Sequence, residues 1–237
     1  SGGRLAAGVA PRRTETGGTS ERPPIWTKIL FDASTLAHFD VDMAQTAQSL
    51  IVKGYTLKNV ALRGRVEQGA LDVEVKRADI ADGRVTGTLK LDGSKPEPAF
   101  VIDAKGENLA VRELVGPFAH DPVLRGSGDV VLKLRGAGAT LEKAAPTLAG
   151  TMEVALREGR LLGFDLKRVL NAWWRKWTFD RRNTTPFERI QARLKVTRGV
   201  INTVGPVTLR GRDVEVDASG SIHLLARSLN QHVRLRL

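Results

Sequence analysis

Residues 68–93 read QGALDVEVKRADIADGRVTGTLKLDG, and the fold follows from this stretch. Side chains alternate across a strand with period two, so Leu71, Val73 and Val75 share one side while Asp72, Glu74 and Lys76 share the other. After an Ala81-Asp82 turn, Gly83 opens a second strand with Val85, Leu89 and Leu91 on one face and Arg84, Thr86, Thr88 and Lys90 on the opposite one. A sheet that is apolar on one face must hide that face against something. What covers it becomes the question of function.

Working outward, alternation predicts strands around 37–43, 47–52, 57–66 and 99–105, and the composition of 110–118 predicts one or two helical turns ended by Gly116-Pro117. In GDVVLKLRG, Val130, Leu132 and Leu134 share a face; a short helix starts at Thr140; in GTMEVALREG, Met152, Val154 and Leu156 alternate with Glu153, Ala155 and Arg157. Over about 164–177 the period becomes helical, with Leu166, Val169, Leu170, Trp173 and Trp177 in one stripe and Trp174 at its edge. Strands then resume. They cover 187–197 with Ile190, Ala192, Leu194 and Val196 inward, 199–204, 206–211 with Val207 and Leu209, 213–224 with Val214, Val216, Ala218, Gly220 and Ile222 inward, and 231–237. A weak repeat links GALDVEVKRADIADGRVTGTLKL to GVINTVGPVTLRGRDVEVDASGSIHL, two Gly-led strand-turn-strand units that can extend one sheet. Residues 1–24, rich in Gly, Pro, Ser, Thr and Arg without an apolar period, predict a flexible linker ahead of a β-rich domain over 25–237.

Composition sets the limits. Hydrophobic residues make up 41% of the 237, enough for a sizeable core, but aromatics are only 5%, so Val, Leu and Ala supply the apolar face. The formal net charge is +11. It is concentrated: residues 160–200 hold eleven Lys and Arg, among them Lys167, Arg168, Arg175, Lys176, Arg181 and Arg182, against Asp165, Asp180 and Glu188. Such a segment suits phosphates, anionic headgroups or an acidic protein. Nucleic acid is the least favoured of these, because the basic residues lack the aromatic-bearing strands of RNA-binding modules.

No catalytic constellation emerges. With no cysteine there is no disulfide framework or thiol nucleophile, and His38, His120, His223 and His232 lack metal-ligand spacing. Gly126-Ser127-Gly128 and Gly136-Ala137-Gly138 are followed by no phosphate-loop Lys and are expected to be turns. No Gly-x-Ser-x-Gly elbow occurs. The expectation is a protein without catalytic residues, metal or cofactor.

The order of segments carries a resemblance. TLAGTMEVALREGRLLGFDLKRVLNAW, followed by TPFERIQARLKVTRGVINTVGPVTLRGRDVEVDASGSIHL, resembles the carboxy-terminal region of the AsmA family of bacterial envelope proteins. The matching features are Leu148 to Gly150, Gly159 to Leu166, Thr185 with Phe187, Gly199-Val200 and Gly220; upstream, Gly69 to Leu71 and Asp82-Gly83 to Asp92 add to them. The resemblance runs over about residues 37–237. It implies a protein anchored in the inner membrane by an amino-terminal helix, here expected upstream of Ser1, and projecting into the periplasm. Family relatives are similar to bridge-like lipid-transfer proteins, whose curved sheets form a groove for phospholipid. The family is also tied to outer-membrane homeostasis and outer-membrane protein assembly.

The combined expectation is a mainly β chain: an elongated, curved antiparallel sheet forming a hydrophobic groove, with a few short helices. Its expected lining is Leu71, Val73, Val75, Val85, Leu89, Leu91, Leu132, Leu134, Val154, Leu156, Ile190, Leu194, Val196, Val207, Leu209, Val214, Val216 and Ile222. Phospholipid acyl chains are the expected occupants. Lys167, Arg168, Trp173, Trp174, Arg175, Lys176, Trp177, Arg181 and Arg182 are the expected contact with a membrane surface or an envelope protein, since a basic Trp-bearing helix suits anionic headgroups. The competing expectation is a scaffold that seals its apolar face and binds an envelope assembly factor through 160–200. A scaffold would bury Val73, Leu89, Val154 and Val216; a carrier would leave them lining an open channel.

Overall fold

The structure, a computed structural model, describes residues 40–52, 54–115, 124–163, 183–226 and 228–236. The expected linker at 1–24 and the expected helix at 164–177 lie outside them. The strands are β1 (Val41–Val52), β2 (Tyr55–Glu67), β3 (Ala70–Ile80), β4 (Gly83–Asp92), β5 (Ala99–Ala110), β6 (Leu124–Ala137), β7 (Ala149–Leu162), β8 (Thr184–Thr197), β9 (Val200–Thr203), β10 (Val207–Arg210), β11 (Glu215–His223) and β12 (Ser228–Arg236). Two short helices interrupt them, α1 (Val111–Val115) and α2 (Leu141–Ala144), the latter continuing into a 3-10 turn, Ala145–Thr147. All twelve strands form one antiparallel sheet in chain order. β9 and β10 both pair with β8 and β11, so they act as one strand broken at Val204-Gly205-Pro206, where proline cannot donate to the ladder.

The meander follows from its turns. Gln68-Gly69, Ala81-Asp82 and Arg198-Gly199 all have positive φ at both central positions, the primed geometry whose twist suits a two-residue hairpin. Both repeated units are hairpins of the same sheet, the first turning at Ala81-Asp82 and the second between Arg210 and Glu215. Several strands run longer than alternation alone predicts. Residues 37–43 and 47–52 are not two strands over their described part: 41–52 is one continuous edge strand, carried through the weakly apolar Ala44 to Thr46 by pairing with β2. The expected turn at Gly126 to Gly128 is also corrected, because both glycines lie within β6; of the expected turn at Gly136 to Gly138, Gly136 and Ala137 close β6 and only Gly138 lies beyond it. There a glycine marks close backbone approach instead of chain reversal.

Curvature comes from bulges gathered at one end of the sheet. Pairing shifts between Lys58 and Leu62, between Val75 and Ala78, between Gly106 and Leu109, and opposite Arg125 to Ser127. Asn59, Asn108 and Glu158 at or beside these shifts have φ of 49°, 54° and 45°. Bulges bend a strand and tighten its twist. The apolar face becomes the inside of a trough, with a bulged end where β3 turns into β4 and a plain end where β2 turns into β3.

Candidate functional site

Register places the apolar side chains in rows that cross the sheet. One row runs Val73, Leu89, Ile102, Leu134, Gly150 and Val196; the next runs Val75, Gly87, Ala104, Leu132, Met152 and Leu194. The outer face carries the charges. There Asp72 lies 3.5 Å from Lys90 and Asp103 lies 3.3 Å from Lys133, both across strands and both largely exposed. Such pairs contribute at most about 1 kcal/mol each, so they keep the outer face wet more than they hold the sheet together.

A packed cluster closes each end of the trough. At the plain end, Val66, Leu91, Phe100, Ala144, Leu148 and Val196 are buried together, with Leu71, Ile102, Leu134, Ile201 and Leu224 partly buried against them. α2 and its 3-10 turn deliver Ala144 and Leu148 to this cluster. Thr140 caps α2 by accepting a hydrogen bond from the Lys143 amide at 3.3 Å, and Thr147 accepts one from the Ala137 amide at 2.8 Å. Phe100 sits on Gly136, its direct cross-strand partner, and a Cβ there would come within 3.0 Å of the ring.

At the bulged end the same device recurs. Leu156, Phe187, Leu209 and Val214 are buried, with Val111, Leu124, Val154, Leu161, Ile190 and Val216 packed around them. Phe187 sits on its cross-strand partner Gly159, where an added Cβ would collide with the ring. α1 crosses this end: Val111 joins the cluster, while the Leu114 carbonyl accepts a 2.5 Å hydrogen bond from the Tyr55 hydroxyl of β2. Burial there raises the Tyr55 pKa.

Between the ends the lining changes character. Leu62, Val73, Val75, Val85, Leu89, Val130, Leu132, Met152 and Leu194 are half-buried and belong to neither cluster. The expected lining residues thus divide into three groups. Val73, Val75, Val85, Leu89, Leu132 and Leu194 line the middle; Leu71, Leu134, Val154, Ile190 and Val216 pack against an end cluster; Leu91, Leu156, Val196, Leu209 and Val214 are buried inside one. Val207 is half-buried, and Ile222 is 41% exposed near the β12 edge. The nine expected contact residues from Lys167 to Arg182 lie outside the described residues. Alternation in 99–105 was a sufficient signal for Ile102 and Ala104 as lining positions. No local signal marked Phe100 and Phe187 as the anchors, because their glycine seats are distant in sequence.

At the bulged end, Asp79 accepts hydrogen bonds from Arg77 at 3.0 Å and Asn59 at 2.8 Å. The Arg77 bond first, then the Asn59 bond, hold its pKa down at about 2. This carboxylate is committed to a structural clasp. Among the described residues no group of three or more His, Cys, Asp or Glu could hold a metal ion, and no helix is long and apolar enough to cross a membrane. What the described residues assemble here is an apolar surface.

A family model described as the AsmA family matches residues 21–204. No curated protein and no solved structure matches the chain.

Proposed function

The chain belongs to the AsmA family, which suggests an envelope-related role, and from that premise we propose that the trough shields phospholipid acyl chains in passage between envelope membranes. The observation that carries this reading is the half-buried middle, where Val73, Val75, Leu89, Leu132, Met152 and Leu194 share one face between two packed ends and belong to neither cluster. Acyl chains laid along it gain about 0.8 kcal/mol per buried CH₂. Headgroups stay at the rim, in water. The work is passive and spread over many Val and Leu side chains, so the reading needs no catalytic residue and no cofactor. A periplasmic setting and support of outer-membrane homeostasis and protein assembly belong to the same proposal.

The lining proposed for lipid is narrower than alternation alone suggests. Leu91, Leu156, Val196, Leu209 and Val214 are walls of the ends, since their packing already removes them from solvent. Native mass spectrometry of the purified chain tests the reading: phospholipid is expected to co-purify, and Leu89→Asp or Leu194→Asp is expected to abolish occupancy while the circular dichroism of the sheet persists. Undiminished lipid in both variants would refute the groove. A lipid-free, stable and monodisperse wild type would favour the scaffold reading instead.

A further inference from the structure

The outer face of the sheet divides at β6. From β2 to β6, register sets opposite charges side by side: Arg65 opposite Asp72, Asp72 opposite Lys90, Asp103 opposite Lys133. Toward the bulged end of β6 to β10 the rule inverts. Arg125 lies opposite Arg160, Arg157 opposite Arg189, and Arg189 opposite Arg210. All five are exposed. Their inward neighbours settle the direction, because Leu124 opposite Leu161, Leu156 opposite Ile190 and Ile190 opposite Leu209 are the pairs that face the trough.

Like charges directly opposite each other destabilise a sheet. Folding alone does not favour this arrangement. Arg157 and Arg210 are relieved by Asp129 and Glu215. Arg125, Arg160 and Arg189 have no carboxylate at ion-pair distance among the described residues. With strands about 4.8 Å apart, Arg157, Arg189 and Arg210 form a line about 10 Å long, and Arg125 with Arg160 forms a second line beside it. This is an open array of forked cations, each matched in shape to phosphate oxygens, and not a pocket for one anion.

We propose that this outer arginine face docks the protein on an anionic lipid surface through headgroup phosphates. The proposal stands whether or not acyl chains occupy the trough. A lipid surface is favoured over an acidic protein by the neighbouring sequence: the chain leaves this end at Gly163, returns at Asn183, and in between carries three Trp among its Lys and Arg. Aromatic and basic residues together suit the headgroup layer.

The experiment is flotation of the full chain with phosphatidylcholine vesicles made with and without phosphatidylglycerol. Wild type is expected to bind only the phosphatidylglycerol vesicles, and less as salt is raised. Arg125→Gln, Arg160→Gln and Arg189→Gln together are expected to weaken that binding at least about tenfold. Arg63→Gln, Arg65→Gln and Lys90→Gln together, which remove the same charge from the balanced half, are expected to leave it within about twofold. Native mass spectrometry is run on each variant, so loss of trough occupancy reads separately from loss of docking. The proposal fails if the first triple variant floats like wild type, if the second loses as much as the first, or if wild type shows no preference for phosphatidylglycerol. Retention of wild type on polyglutamate without vesicle binding would reassign the face to an acidic protein and equally overturn it.

Discussion

The ends of the trough and its middle are built from the same strands, yet they solve the apolar-face problem in different ways. Each end sets a phenylalanine on a cross-strand glycine and brings a short helix across, so the residues at its centre are buried. The middle has the same Val and Leu alternation but is only half-buried and joins neither cluster. Stability is therefore concentrated at the ends, while the middle is where the proposed apolar guest would lie. An interior filled to one density throughout would hold the sheet equally well and leave no room for one.

The sharpest way to break this contrast is Phe100→Ala, expected to cost about 3–5 kcal/mol in urea unfolding, because it empties the centre of a buried cluster. Leu132→Ala, which trims the half-exposed middle, is expected to cost only about 1–2 kcal/mol. If the two losses were equal, the division between ends and middle would be wrong. Thr140→Ala sharpens the picture of the plain end. It removes the cap of α2 and is expected to lower stability by about 1 kcal/mol with the sheet's circular dichroism unchanged.

The smallest expected effect concerns pH at the bulged end. The Asp79 carboxyl is lowered from 3.8 to about 2, so its clasp favours the folded state above about pH 4, and that contribution fades as pH falls through 2. An NMR titration of Asp79 is expected to give a midpoint near 2, and Asn59→Ala is expected to move it upward. A midpoint at the ordinary carboxylate value in wild type would remove Asp79 from the account of that end.

Much of this was legible along the chain. Alternation in 69–91 identified both faces of β3 and β4, and Ala81-Asp82 marked their turn. Thr140 announced α2. What misled local reading was glycine. Gly126, Gly128 and Gly136 look like turn residues in isolation, yet they lie within β6, and Gly136 owes its identity to the Phe100 ring on the neighbouring strand. The arginine face was equally hidden. Its members are scattered in sequence, and Arg125 comes opposite Arg160, and Arg157 opposite Arg189, only once register aligns β6, β7 and β8.

A one-sided antiparallel sheet is thus written into the chain, because period-two alternation is a local property and each two-residue turn enforces pairing with the next strand. Which part of the apolar face is sealed and which stays half-buried is set by long-range packing. That depends on where bulges bend the sheet and where α1 and α2 cross it, and both follow from contacts between residues tens of positions apart that no local pattern encodes.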